Sequence, residues 1–448
     1  MSKIELRARL EELGVRPSKM LGQNFLLDPN LARAIVDAMA IKEGDHVLEV
    51  GPGMGALTQY IISSPAAQIT LIERDYRLAA ELQRRYGSDR VRVIQADAAK
   101  VPLQELYGYG AVKLLGNLPY SASTAIIAHF TSAFSPASRL VLMLQREVAE
   151  RLVATPGESD YGALTVLLGR RWCVKKLRTV PPDVFWPRPA VESAIVEIGE
   201  RPSSEVMICD EEKFRQLVRL VFSSRRKQLG SLLKIPTSLW KSLTEKLGCE
   251  PTVRAEDLSI NDWSLLVQNL HPIAPHRAME CYDVVDENDT VIESQHRDII
   301  HVNKLRHRAV HVWIFNSKGE LFLQKRSLWK QNHPALWCSS VAGHVDAGED
   351  YLTAAYREVK EEIGVSVELK PFYRIEASET TGEEFIECFY GFSEGPFTMC
   401  PWELETGFFF SQEVIQRWLA SHPEEFTPVF GVIHSKGTSF LRNKVPLL

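Results

Sequence analysis

Two groups of residues in this 448-residue chain have the types and spacing to do chemistry. The first lies between residues 46 and 120. An apolar run, HVLEV (46–50), enters GPGMGA (51–56), a turn where backbone can approach a ligand closely because glycine has no Cβ. By itself Gly51-x-Gly53-x-x-Ala56 also fits a dinucleotide fingerprint. Glu73 ends the next apolar run, QITLIE, and suits a ribose diol. Asp97, in VIQAD, can accept from an adenine amino group. Then comes Gly116-Asn117-Leu118-Pro119-Tyr120. An exocyclic aromatic amine is a weak nucleophile because its lone pair is delocalised into the ring. Two acceptors, the Asn117 side-chain oxygen and the Leu118 carbonyl, would take its hydrogens and draw the nitrogen toward tetrahedral geometry. Pro119 preorganises that backbone, and Tyr120 offers a ring on which an extruded base can stack.

The second group is GHVDAGEDYLTAAYREVKEEIGV (343–365). It follows Gly-x5-Glu-x7-Arg-Glu-U-x-Glu-Glu-x-Gly-U, with U apolar, at Gly343, Glu349, Arg357, Glu358, Val359, Glu361, Glu362, Gly364 and Val365. Glu358, Glu361 and Glu362 stand at i, i+3 and i+4, so they are expected to share one helix face. Like charges so placed repel, and hard divalent cations remove that cost; Mg2+ is the natural candidate. Such ions polarise a diphosphate and activate water for attack on phosphorus. Arg357 and Glu349 are expected to pair and hold loop to helix.

The elements around these residues alternate. Strands are predicted at 46–50, 68–73, 91–95, 113–115 and 140–144, and helices at 31–40, 56–63 and 76–86. Short connections between them imply a parallel, doubly wound sheet. Residues 211–268 read as helices only (212–221, 226–233, 238–247). HPIAPHRA (271–278) reads as a linker, and beyond it strands return around one strong helix at 350–363, an α+β pattern.

The charge divides at the same place. Residues 1–270 hold 35 Lys+Arg and 31 Asp+Glu (+4), residues 271–448 hold 17 and 26 (−9), and the sum is the chain's −5. Seven scattered cysteines form no zinc spacing, and a reduced, cytoplasmic chain is expected. The first fifteen residues lack the apolar core of a signal peptide, and no apolar stretch approaches the ~20 residues of a membrane helix.

Residues 1–270 resemble the small-subunit ribosomal RNA adenine N6-dimethyltransferases (KsgA-type). The matching stretches are LGQNFLLD (21–28), LEVGPGMGALT (48–58), LIERD (71–75), ADA (96–98), GNLPY (116–120), LQREVAERL (144–152), FWPRPAVES (185–193) and FSSRRKQL (222–229). The resemblance implies S-adenosylmethionine as methyl donor and, as substrate, two adjacent adenines near the 3′ end of 16S rRNA in the small ribosomal subunit. It places Asn24, Leu26, Gly51, Glu73, Asp97 and Asn117 around the cofactor and Asn117, Leu118 and Tyr120 at the methyl acceptor. Phe185 is placed opposite Tyr120 across the flipped base. Arg170, Arg171, Lys175, Lys176 and Arg178 form one basic cluster. Arg225, Arg226 and Lys227, expected to open a helix, fall within a matching stretch, and the resemblance implies that they contact RNA. A related reading moves the target to 23S rRNA.

Residues ~280–445 resemble a Nudix hydrolase domain, and 343–365 its box. The flanks, YDVVDENDTVI (282–292), LRHRAVHVWIFNSKGELFLQKRS (305–327) and ALWCSSVAGH (335–344), resemble the branch that includes isopentenyl diphosphate isomerase. The isomerase's catalytic cysteine position is Ala342 here, with Cys338 four residues early, so hydrolysis of a diphosphate-containing small molecule is favoured. Of the isomerase's metal-binding histidines, His307 and His344 have counterparts. The expected architecture is a Rossmann-like α/β methyltransferase domain (1–205), a helical RNA-contacting subdomain (206–270), a linker (271–279) and an α+β Nudix domain (280–448). A non-enzymatic alternative is a ribosome-assembly factor whose Nudix module only binds.

Overall fold

The computed structural model describes residues 2–17, 23–109, 112–132, 135–207, 209–225, 227–272 and 280–442. The chain divides into two units, Met1–Pro272 and Ile273–Leu448. Most of the predicted linker lies outside the described residues.

The first unit runs α1 (Lys3–Glu12), β1 (Phe25–Leu26), α2 (Pro29–Ala38), β2 (His46–Val50), α3 (Thr58–Ile61), β3 (Gln68–Glu73), α4 (Tyr76–Tyr86) and β4 (Val91–Gln95). It continues through β5 (Val112–Asn117), α5 (Ser123–Phe130), β6 (Ala137–Gln145), α6 (Arg146–Val153), α7 (Ala163–Gly169), β7 (Trp172–Val180), β8 (Phe185–Trp186) and β9 (Ser193–Glu200). Seven strands make one sheet in the order β4-β3-β2-β5-β6-β9-β7. The first five in that order are parallel, while β9 runs antiparallel to β6 and β7 antiparallel to β9. This is the Rossmann-like α/β class, with one antiparallel strand, β9, and a parallel edge strand, β7, that the sequence pattern does not announce. Residues 175–179 of edge strand β7 are all exposed, so the alternation that betrays a half-buried strand is missing.

Helices cover both faces. Ile35 and Val36 of α2 and Leu82 of α4 pack with Val47 and Leu71 on one side. On the other, Ile127 and Phe130 of α5 and Leu152 of α6 pack with Leu114 and Leu142. Capping explains the helix starts: Asp28 accepts from the Asn30 and Leu31 N–H groups, with Pro29 in the first turn, and Asp75 caps α4 in the same way. The connections reverse between β2 and β5, which opens a crevice at the carboxyl ends of those strands.

Four helices follow: α8 (Glu211–Phe222), α9 (Leu229–Leu233), α10 (Thr237–Leu247) and α11 (Ile260–Leu270). Phe214, Val218, Trp240, Trp263 and Leu266 form their core together with Tyr161. The helix expected at 226–233 is confined to 229–233; Ser224 and Lys227 lie in the turn before it, where the Lys227 N–H donates to the Ser224 carbonyl.

The second unit comprises β10 (Cys281–Val285), β11 (Val291–His296), α12 (Arg297–Asn303), β12 (His307–Phe315), β13 (Leu321–Arg326), β14 (Trp337–Cys338), β15 (Val341–His344) and α13 (Tyr351–Ile363). Then come β16 (Lys370–Ile375), β17 (Glu384–Phe392), β18 (Leu404–Phe410), α14 (Gln412–Ser421) and α15 (Pro428–Arg442). Central β12 pairs in parallel with β17 and antiparallel with β13 and β15. α14 and α15 add to the single strong helix expected here. α15 contains two glycines and several β-branched residues, so its propensity is low; burial of Phe430 and Ile433 supports it.

Candidate functional sites

Asn24, Leu26, Gly51, Glu73, Asp97 and Asn117 line one cavity of about 390 Å³ in the first unit. Asn24 and Leu26 arrive on the stretch around β1, and the other four at or just beyond the ends of β2, β3, β4 and β5. The glycine turn forms because Gly51 and Gly53 adopt φ of +66° and +57°. A Cβ on Gly53 would also lie 3.1 Å from the Phe25 ring. Glu73 joins the turn to the end of β3: one carboxylate oxygen accepts from the Gly53 N–H at 3.0 Å and the other from the Asp75 N–H at 2.9 Å. Burial pushes the Glu73 carboxyl up, and these N–H groups pull it back. Asp97 accepts from the Ala99 N–H at 3.1 Å, with Arg74 at 3.9 Å.

The Asn117 amide nitrogen donates to the Asn24 carbonyl at 2.7 Å. That contact orients the amide, because a carbonyl can only accept, and it leaves the oxygen end to receive a donor. Leu118 donates its N–H to the Met143 carbonyl at 3.1 Å and buries its side chain. Leu118, Tyr120 and Phe185 stand outside the cavity lining. Phe185 is only 3% exposed: its backbone pairs with Leu26 in the β1–β8 ladder and its ring packs in the core with Val180 and Ile195. In this structure it is a core aromatic and presents no open face to a base.

Glu49 also lines the cavity, and pattern reading passed over it inside HVLEV. It is 1% exposed, Thr58 donates to it at 2.6 Å, and burial pushes its carboxyl up to about 8. The acidic and backbone groups, together with the apolar Leu26 and Ile72 walls, fit a cofactor bearing a ribose, an adenine and a positive charge.

The basic residues separate. Arg170 pairs with Glu211 and is buried, and Arg171 reaches the same carboxylate at 3.4 Å, so both tie the sheet domain to α8. Arg225 is an internal clamp as well: it donates to Glu256 at 2.7 Å and to the Ser159 and Glu158 carbonyls at 2.6 and 3.2 Å. Lys175, Lys176, Arg178 and Lys227 are exposed. Arg226 lies outside the described residues.

In the second unit, α13 starts at Asp350, which accepts from the Leu352 and Thr353 N–H groups, and ends at Gly364 with φ +75°. Gly343 is obligatory, since a Cβ there would fall 2.1 Å from the Glu358 carboxyl. Arg357 donates to Glu349 at 2.9 Å, to Glu358 at 2.9 Å and to the His344 carbonyl at 2.9 Å. The three carboxylates do not share one environment. Glu358 and Glu362 are buried, whereas the Glu361 side chain is 61% exposed. Consecutive residues are ~100° apart on a helix, so Glu361 falls to the side of the stripe that Glu358 and Glu362 define. Gln324 and the Ala342 N–H donate to Glu362 at 3.2 and 3.3 Å. These oxygens suit a hard divalent cation.

Beside them is a cluster that sequence reading only half found. His301 on α12, with His307 and His344, places one ring nitrogen each within 4.8 Å of the others. Glu384 lies 3.2 Å from His344 and 3.5 Å from His307. Burial holds His301 down to about 4 and His344 down to about 3. Three imidazoles and a carboxylate suit a borderline transition ion better than Mg2+. His301 sits in no motif, and only the fold brings it in.

A family model described as ribosomal RNA adenine dimethylase matches residues 16–271, and one described as NUDIX domain matches residues 305–430. A ribosomal RNA small subunit methyltransferase A from Chlorobium phaeobacteroides (strain BS1) is 40% identical over 273 residues, 61% of this chain and 99% of that protein. A solved dimethyladenosine transferase from Plasmodium falciparum is 27% identical, with a TM-score of 0.46, covering 55% of this chain and 96% of its own. A solved MutT protein from Methanosarcina mazei Go1 is 20% identical, with a TM-score of 0.24, covering 31% of this chain and 94% of its own. The chain therefore belongs to the ribosomal RNA adenine dimethylase family, and it carries a NUDIX domain after the dimethylase part.

Proposed function

We propose that the first unit dimethylates N6 of two adjacent adenines near the 3′ end of 16S rRNA, using S-adenosylmethionine. The observation that carries this reading is the single cavity lined by Asn24, Leu26, Gly51, Glu73, Asp97 and Asn117, with the Asn117 amide oriented by Asn24. When bound, S-adenosylmethionine supplies a methyl group on a sulfonium. The Asn117 oxygen and the Leu118 carbonyl accept the amine hydrogens and localise the lone pair on N6. The Asn117 and Leu118 oxygens would keep N6 in that geometry toward the methyl donor, and the surplus proton on nitrogen would pass to solvent. Tyr120 stacks on the base. Lys227 and Arg226 contact RNA phosphates. The corresponding division is 1–205, 206–270, a linker at 271–279, and 280–448, in a cytoplasmic protein. Tritiated methyl transfer to undermethylated 30S subunits tests the reading. Wild-type protein is expected to label 30S and not free 23S RNA, and Asn117→Ala to lose at least ~100-fold of the rate, the scale for removing one preorganised polar group. Labelling of 23S RNA instead would move the target.

We infer that the second unit hydrolyses a diphosphate-containing small molecule with Mg2+. Glu358, Glu361 and Glu362 would hold the ion, which polarises the phosphate and activates water. The reading is supported by Ala342 in place of a catalytic cysteine and by the carboxylates gathered around Arg357. Phosphate release from a panel of nucleoside and isoprenoid diphosphates is expected to need Mg2+ and to fall ~100-fold in Glu362→Gln. Release unchanged in that variant would assign the module a binding role.

A further inference from the structure

Tyr120 is held at both ends. Its carbonyl accepts from the Ser123 hydroxyl at 3.3 Å, which fixes the backbone where α5 begins. At the far end of the side chain, the phenol oxygen lies 2.6 Å from Ser193 Oγ. Ser193 is the first residue of β9 and is fully buried. It stands opposite Gln145 of β6 and Val180 of β7, so two neighbouring strands set its position. A hydroxyl placed this way is a rigid peg in the sheet.

Burial pushes the Tyr120 phenol up, with the Ser193 bond pulling against it, so the phenol stays a neutral hydroxyl near neutral pH. A tyrosine ring tethered at Cα alone keeps rotation about χ1 and χ2. A second tether at the hydroxyl fixes χ1, and with it the axis along which the ring lies; rotation about χ2 leaves the phenol oxygen in place. For a ring that only fills space this matters little, because packing does the same work. For a ring that must lie beside an extruded base, a fixed ring position matters directly, since reacting groups misplaced by ~1 Å lose ~100-fold in rate.

We propose that Ser193 is a positioning residue for the methyl-acceptor site, acting through the Tyr120 hydroxyl to hold the stacking ring in place. The inference rests on the methyltransferase reading above. It goes beyond that reading because Ser193 is fully buried and stands outside the cavity lining.

The test uses the full chain, undermethylated 30S subunits and tritiated S-adenosylmethionine. Ser193→Ala is expected to lower kcat about tenfold or more. The KM for S-adenosylmethionine and its Kd by calorimetry should stay within about twofold. Tyr120→Phe, which removes the other half of the contact, should lose a similar factor, and the double variant should be no worse than either single one. Ser193→Thr, which restores a hydroxyl on a β-branched frame suited to a strand, should recover most of the rate. A wild-type kcat in Ser193→Ala or Tyr120→Phe overturns the proposal, as do losses that multiply in the double variant. If Ser193→Ala does not fold, Tyr120→Phe and Ser193→Thr still decide the matter. Absence of transfer by the wild-type chain would overturn the methyltransferase reading itself, a result distinct from an active wild type with an indifferent Ser193→Ala.

Discussion

Glu49 shows what a single ionisable group does when a strand encloses it. Unfolded, its carboxyl titrates near the ordinary 4.5; folded, burial raises it to about 8. Between those values the folded state holds a proton that the unfolded state has released. The group's contribution to stability is therefore complete below about 4.5 and lost as the pH rises through about 8. Urea midpoints of the wild-type chain should fall from about pH 6 to about pH 8.5, and Glu49→Gln should show a flatter profile. A midpoint that rises over this range in the wild type would contradict the assignment. Single residues were legible where a motif fixes both type and place, as with Glu73, Asp97 and Asn117. Glu49 was not, because one acid inside an apolar run gives no sign of whether it faces a cavity. His301 was not, because its partners are 6 and 43 residues away in sequence.

The turn between α8 and α9 carries the element-scale lesson. FSSRRKQL reads as a basic helix start, yet Arg225 spends its guanidinium on Glu256 and two carbonyls, while Lys227 stays exposed. Adjacent basic residues thus have separate roles: one holds the subdomain together and the other is open to a partner. Arg225→Ala should cost about 1–3 kcal/mol in urea unfolding, from a lost charged hydrogen-bond network. Lys227→Ala should change stability by less than ~0.5 kcal/mol and lower the salt dependence of 30S binding by about one ion. The reverse pattern would return Arg225 to the RNA surface. Elements with strong periodicity and caps were readable, and α4 begins and ends at the predicted residues, Tyr76 and Tyr86. β7 was not, since an edge strand with exposed lysines lacks the period-2 signal, and the two-residue β1–β8 ladder is too short to have one.

At the scale of the molecule, each unit closes its own sheets: every strand pairing described lies wholly within residues 1–272 or within 273–448. Architecture at this level was plain in the sequence because the charge, the motif content and the strand–helix pattern all change near residue 270. Each unit is therefore expected to fold and work alone. Cleavage within 273–279 should leave both methyl transfer and diphosphate hydrolysis within about twofold of the intact chain, and calorimetry of the intact chain should resolve two transitions. Loss of either activity on cleavage would show that the units depend on each other. No helix among the described residues is long and apolar enough to cross a membrane.

The single guanidinium of Arg357 sits among Asp346, Glu349, Glu358 and Glu361, and Glu362 of the same helix accepts instead from the Ala342 N–H. Five carboxylates and one arginine leave a formal −4, nearly half of the −9 carried by residues 271–448. A diphosphate arriving at that surface meets charge of its own sign. Anion affinity should therefore depend on the cation: the Kd for a diphosphate, read by calorimetry, should tighten when a divalent ion is present and weaken when it is chelated.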